Sequence, residues 1–519
     1  MKKAVAMLLS LCLVFSAFQV PVWAATGEAA AAEAEEGAEA EEGAEAEEAG
    51  EAANPADNIV TTSHSAVING NKISYTANTG TMLLESMGKQ YEIFFIAFTK
   101  DGVKDYSERP VTFAFNGGPG ASSSYVNIGL MGPRRVETDG SGRSISLPAK
   151  IVDNENSLLD LTDLVFIDPV GTGYSRAVNE EDAPDAYSID GDTTVVGDFI
   201  RQYVNRNKRW KSGKYIAGES YGTVRSVAVC DYLSACYSMN VNGLLLVSSA
   251  NDYMSFTYTD NNEIPYASFF PTCAAIAWYH GVLAKEYQDM ELEAFLDEVR
   301  DFVVGEYVPA LYLGNRLPEE KVKELAGKIS GYIGLSEELV LENDLRIDFG
   351  TFSSELLKDQ KLVVGRYDGR MTGPATSGYL GNGTADPSSH EIDLSFGDAF
   401  VDYVSDELGF QTDRPYLQID LDINSQWKYL GEGYIGFPCQ EREIADCMSR
   451  NKFLKVWVTC GYFDGATPFY GTEWTFSHVT LNEDRKPNLQ LTYYPSGHMF
   501  YVDKPSYDTF RKSAEKWFR

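Results

Sequence analysis

Lys214-Tyr215-Ile216-Ala217-Gly218-Glu219-Ser220-Tyr221-Gly222 runs from a short apolar strand, through a Gly-flanked serine, into a helix. Lys214–Ala217 reads as the strand, and Tyr221–Cys236 reads as the helix, with Val224, Ala228 and Tyr232 on one face. Gly218-Glu219-Ser220-Tyr221-Gly222 fits the G-x-S-x-G pattern. Its small residues allow a sharp, strained turn that lifts the Ser220 hydroxyl above a sheet, and the N–H of Tyr221 then points where an oxyanion would form. Five residues of this kind recur by chance in unrelated chains. The flanking strand and helix are what give the match its meaning.

A serine nucleophile needs a base, and the chain has five histidines. His64 lies in an early strand, His280 in a helical stretch, His390 in a polar loop and His478 in a segment after Trp474. His498 sits in Tyr494-Pro495-Ser496-Gly497-His498-Met499, just past a predicted strand. The chain order serine, acid, histidine places the base there. The acid should close the preceding strand, as Asp464 does in Cys460-Gly461-Tyr462-Phe463-Asp464-Gly465; Asp420 and Asp422 are earlier competitors. Asn116-Gly117-Gly118-Pro119-Gly120 follows the predicted strand Val111–Phe115. A Gly-rich turn there lets the backbone approach a substrate and offer a second oxyanion N–H. It lacks the Lys-Ser/Thr of a phosphate-binding loop and the spacing of a dinucleotide fingerprint.

Around these pieces, His64–Tyr75, Tyr91–Thr99 and Val111–Phe115 read as strands separated by Asn-Gly, Thr-Gly and Asp-Gly turn signals. Further strands are expected at 164–167, 243–248, 453–459 and 489–494, and helices at 193–207, 285–304, 318–330 and from Pro505. Short apolar strands alternating with helices imply an α/β fold, a mostly parallel sheet covered on both faces. The break in that rhythm at about 255–450 implies an inserted cap.

Lys2 and Lys3 precede an apolar run from Ala4 to Val20, and Val22-Trp23-Ala24 presents small residues for cleavage. That layout predicts a secretory signal over 1–24, an exported protein at the cell surface or beyond it, and no stable membrane insertion once the signal is gone. Residues 25–57 repeat EAEEGA and hold no basic and no aromatic residue, which reads as a solvated acidic spacer. Residues 58–519 then form the catalytic unit. With 43 basic against 76 acidic residues and a formal net charge of −33, the chain is a poor nucleic-acid binder. Six cysteines follow the signal: Cys230, Cys236, Cys273, Cys439, Cys447 and Cys460. Export permits disulfides without choosing their pairing, and none of the six has CxxC or His-paired metal spacing. No metal or cofactor is expected.

NGGPG at 116–120 with Ser122-Ser123, IDPVGTGYS at 167–175, GESYG at 218–222, Asp464 before Pro468, and GHM at 497–499 occur in one order over most of the chain. Together they resemble the serine carboxypeptidase family. The resemblance implies an α/β-hydrolase fold with a cap inserted after the sixth strand, and removal of single residues from peptide C-termini at acidic pH. It implies Ser220 as nucleophile, His498 as base and Asp464 as its orienter. Gly118 and Tyr221 would supply the oxyanion-hole N–H groups, and Asn116, Gly117 and Glu219 would hold the terminal carboxylate of a peptide substrate. The chain departs from the family pattern at Ala114 (commonly Trp), Ala121 (commonly Cys), Asp168-Pro169 (commonly DQP) and Leu130 (commonly Glu). Leu130 favours the rival reading of an esterase, acyltransferase or endopeptidase on the same fold. A catalytically silent surface binding protein is the third reading.

Overall fold

The computed structural model describes residues 56–375, 386–431 and 434–518. The expected signal lies outside the described residues, as does the expected spacer through residue 55. Asp57, assigned to the spacer by composition, is already docked: its carboxylate accepts the Leu83 N–H at 2.9 Å and pairs with Arg206 at 2.6 Å.

Nine strands carry the central sheet among the described residues: β1 (Asn58–Ile68), β2 (Asn71–Ser86), β3 (Lys89–Lys100), β4 (Val111–Phe115), β5 (Asp163–Ile167), β6 (Lys214–Glu219), β7 (Gly243–Val247), β8 (Lys455–Gly461) and β9 (Leu489–Tyr494). Their spatial order is β1-β2-β3-β5-β4-β6-β7-β8-β9, and the two-residue strand Arg176–Ala177 pairs with β3. The first three are antiparallel, and β5, β4, β6, β7, β8 and β9 run parallel.

The parallel strands are apolar on both faces because each face has its own core. Phe113, Val165, Ile216, Leu244 and Val458 point into one, with Val195, Phe199, Val227 and Leu233 from helices α1 (Ile189–Arg206) and α2 (Tyr221–Tyr237). Ala114, Phe166, Ala217, Leu245 and Trp457 point into the other, with Phe510 and Ala514 of the C-terminal helix Lys504–Trp517. Period-two alternation thus sorts each strand between two apolar layers, leaving no polar face for the sequence to display.

Several local expectations differ in the structure. The run His64–Tyr75 is a hairpin rather than one strand: β1 ends at Ile68, Asn69-Gly70 turns, and His64 comes to face Tyr75 across the ladder. The Thr79-Gly80 turn signal lies inside β2, where Gly80 pairs with Ile59 and Phe95. Beyond β7 the chain leaves the sheet until Lys455, in an excursion built mainly of helices. The helix expected at 285–304 is split into Lys285–Gln288 and Leu292–Phe302, and at the break the Trp278 indole N–H donates to the Met290 carbonyl, 3.1 Å away. Counting the N-terminal hairpin, the excursion follows the seventh long strand.

Candidate active site

Ser220 is the joint between β6 and α2. Its backbone sits at φ 58°, ψ −127°, a conformation that costs a non-glycine residue about 1–3 kcal/mol and persists only where the surroundings enforce it. They do. The Ser220 N–H donates to Val247 O at 2.9 Å, and its carbonyl accepts from the Thr223 hydroxyl at 2.7 Å. The Asn116–Gly120 loop lies directly on this turn. A Cβ on Gly117 would stand 2.5 Å from the Tyr221 nitrogen, and one on Gly222 would stand 2.9 Å from Asn116 O. The glycines therefore let the Asn116–Gly120 loop pack against the elbow, and among the described residues no hydrogen bond uses the N–H of Gly118 or of Tyr221.

Asp464 follows β8 and His498 follows β9, and these strands are parallel neighbours, so their C-terminal loops meet. His498 Nδ1 lies 2.7 Å from Asp464 Oδ2, with both side chains buried. Asp464 also accepts from Ala466 N–H (2.7 Å), Thr467 N–H (2.9 Å) and the Thr467 hydroxyl (2.7 Å), which fixes its plane. The His498 ring packs on Tyr367, with centroids 5.1 Å apart, and the His498 backbone N–H donates to Tyr367 O. Burial pulls the imidazole pKa down, but the Asp464 carboxylate and its hydrogen bond, aided by Glu219, outweigh this and hold it above its usual 6.5. Ser220 and His498 are fastened to consecutive residues: Ser220 N–H to Val247 O, and His498 O to the Ser248 hydroxyl, at 2.6 Å. No hydrogen bond joins Ser220 Oγ to His498 among the described residues. Such contacts often close only when substrate is bound.

Behind Ser220, Glu219 is buried and its Oε2 accepts from Asn116 Nδ2 (3.0 Å) and the Tyr501 hydroxyl (2.7 Å). Asn116 is itself oriented, since its Oδ1 takes the Val126 N–H at 3.0 Å and its carbonyl takes Arg225 Nη1 at 2.6 Å. Burial pushes the Glu219 carboxyl up to about 7, against the opposing pull of His498 and its two hydrogen-bond donors. The native chain thus keeps a proton there that the unfolded chain releases near 4.5, so stability falls as pH rises from about 4.5 to above 7, by about 3 kcal/mol. Buried Asp168, also at about 7, acts in the same window. Glu219→Gln retains the acceptor for Asn116 and Tyr501 and removes one of the two titrations. The variant's unfolding free energy, measured by urea titration, should fall less steeply between pH 5 and 8 than the parent's; parallel curves would contradict this assignment.

Leu130 is fully buried among apolar neighbours. An acid from the excursion lies nearby: Asp393, on the helix Pro387–Asp402, accepts the Tyr125 hydroxyl at 2.5 Å, and Tyr125 lies within electrostatic reach of Glu219. Tyr125, Tyr367, Asp393 and Tyr501 carried no sequence signal. Arg225 carried one: a lone charge on an otherwise uncharged turn of α2, buried in the structure against Asp192 at 2.6 Å. Of the other histidines, His64 meets Thr62 and Glu407, and His478 meets Trp474. His390 lies on the helix Pro387–Asp402 rather than in a loop, and His280 bonds Gly369 O at 2.8 Å. Asp420 caps the short helix Leu421–Gln426 within the excursion.

A mostly parallel sheet, a strained serine elbow and a buried histidine–aspartate pair on neighbouring strand ends are features of the α/β-hydrolase fold. The serine carboxypeptidase family model matches residues 72–293, the stretch that contains both the Asn116 loop and the elbow. With less than half of its length matched, the chain is similar to that family over this stretch. It is 34% identical over 144 residues to the pheromone-processing carboxypeptidase KEX1 of Saccharomyces cerevisiae, covering 26% of this chain and 18% of that protein. It is 32% identical over 127 residues to the serine carboxypeptidase-like 29 protein of Arabidopsis thaliana, covering 23% of this chain and 24% of the relative. The chain thus spans about a fifth to a quarter of the length of these curated relatives. The crystal structure of the Saccharomyces cerevisiae prohormone-processing carboxypeptidase shares the fold, with a TM-score of 0.51 at 16% identity, covering 85% of this chain and 91% of that one. Among the described residues no helix is long and apolar enough to cross a membrane.

Proposed function

We propose that this chain is an exported serine carboxypeptidase that releases C-terminal residues from peptides through an acyl-enzyme on Ser220. The observation that carries the proposal is a strained Ser220 elbow next to the buried Asn116–Glu219 pair, which lies within electrostatic reach of the buried His498–Asp464 pair. His498 takes the Ser220 proton as Oγ attacks the scissile carbonyl, and Asp464 stabilises the imidazolium. The Gly118 and Tyr221 N–H groups receive the oxyanion, each worth about 3 kcal/mol in such sites. His498 returns the proton to the departing amine, and water then releases the acyl group. The substrate's terminal carboxylate is held by Asn116, the Gly117 backbone and Glu219. Two carboxylates are tolerated together only when one is protonated, which the raised Glu219 pKa provides at acidic pH.

Buried Leu130 supports a second reading, an ester or internal-peptide hydrolase, because no acid occupies that position. Export rests on the leader pattern of residues 1–24. A fluorophosphonate probe tests the nucleophile: tryptic mapping should find the adduct on the peptide containing Ser220, with labelling suppressed at pH values that protonate His498. An adduct elsewhere, or none on the folded protein, would refute the assignment.

A further inference from the structure

Asp252, in the loop after β7, and Cys439 and Glu441, on the segment returning from the excursion, each offer one ligand atom, and these atoms all lie within 4.8 Å of one another. Asp252 is 1% exposed. Its Oδ1 accepts the Met254 N–H at 3.0 Å, whereas its Oδ2 is buried with no hydrogen-bond partner among the described residues. A buried carboxylate oxygen left bare is expensive and calls for a donor or a cation. The backbones that carry the cluster are already locked together. Tyr253 N–H donates to Pro438 O and Gln440 N–H to Asn251 O, both at 2.9 Å, so that Asp252 and Cys439 face each other as a bridge. The Asn251 and Gln440 side chains bond at 2.8 Å beside it. Cys439 is exposed and Glu441 half-buried, leaving a path from solvent.

We propose that Asp252, Cys439 and Glu441 form a divalent-cation site, matched to Zn²⁺, that fastens the returning end of the excursion to the loop after β7. Two carboxylates and a thiolate suit a borderline-soft tetrahedral ion, with water in the fourth position; Ca²⁺ and Mg²⁺ would take oxygen ligands and leave the thiol unused. On binding, the Cys439 thiol gives its proton to solvent as the sulfur–metal bond forms, with no change of oxidation state. Asp252 is distant in sequence from Cys439 and Glu441, so no spacing motif announces the set. The clamp also reaches the elbow helix, because Gln440 Nε2 donates to Val224 O at 3.1 Å.

The test uses the full secreted chain, kept reduced, stripped with a chelator and given Zn²⁺ alone. It should retain about one ion per chain by metal analysis, and its Tm should rise by about 3 °C at saturation. Cys439→Ser and Glu441→Gln should each weaken binding at least about tenfold while melting normally in chelator. Co²⁺ in place of Zn²⁺ should give a thiolate charge-transfer band that Cys439→Ser abolishes. Retention of no ion, or Zn²⁺ binding as tight in Cys439→Ser as in the parent, or a Co²⁺ complex without the thiolate band, would overturn the proposal.

Discussion

Replacing Ser220 with Ala should lower kcat/KM on peptides and small esters by about 10⁴- to 10⁶-fold, the loss typical when one member of a triad is removed. The fold should be unaffected. Ser220 Oγ makes no hydrogen bond among the described residues, and the elbow is held instead through its backbone, by Val247 O and by Thr223. His498→Ala should lose about as much, and the double variant little more, because the two groups act in one step. The thermal melt of Ser220→Ala should overlay the parent, whereas His498→Ala, which leaves buried Asp464 without its imidazole, should melt lower. Activity within tenfold of the parent in either variant would remove Ser220 and His498 from the reaction.

The largest effect on stability should come from Arg225→Met. The Arg225 side chain is fully buried, pairs with buried Asp192 at 2.6 Å, holds Asn116 O at 2.6 Å, and lies over the rings of Phe115 and Tyr221 at 5.1 and 5.2 Å. Met fills much of the volume but strands the Asp192 carboxylate, and breaking a buried pair from one side costs about 3–5 kcal/mol. Burial pushes the Asp192 carboxyl up even with Arg225 in place, so the lone group should take up a proton more readily still. The deficit should therefore be smallest in acid and grow as pH rises above the ordinary aspartate range. Removing both charges, as Asp192→Leu with Arg225→Met, should recover most of the loss. Urea denaturation at two pH values measures this, and a deficit below about 1 kcal/mol at neutral pH would show that the pair carries little of the elbow's support.

What was legible in the sequence was local and periodic. Strand β6, the Gly-flanked Ser220 and helix α2 are consecutive, so their pattern survives in one dimension, and Asp464 and His498 each follow a strand that announces itself. The β1–β2 hairpin was not legible as two strands, because Asn69-Gly70 turns within a run whose alternation continues on both sides. The surroundings of Glu219 were not legible for a different reason. Tyr501, Tyr125 and Asp393 come from separate parts of the chain: Tyr501 reaches the carboxyl through the packing of the C-terminal loop, and Tyr125, bonded to Asp393 of the excursion, lies within its electrostatic reach. Their residue types match those of ordinary core and surface positions. Glu219 could be named from its place in the elbow; the burial that moves its pKa to about 7 could not.

Recognition of a free C-terminus is the central test, because the carboxylate site proposed at Asn116 and Glu219 would set a carboxypeptidase apart from another hydrolase with this elbow. Two peptides of identical sequence, one with a free C-terminal carboxylate and one amidated, should be incubated with the protein at pH 5 and followed by mass spectrometry. The free acid should lose single residues stepwise from its C-terminus, with the amide processed at least about tenfold more slowly, roughly 1.4 kcal/mol of discrimination. Cleavage at internal bonds, or equal rates on the two peptides, would contradict it.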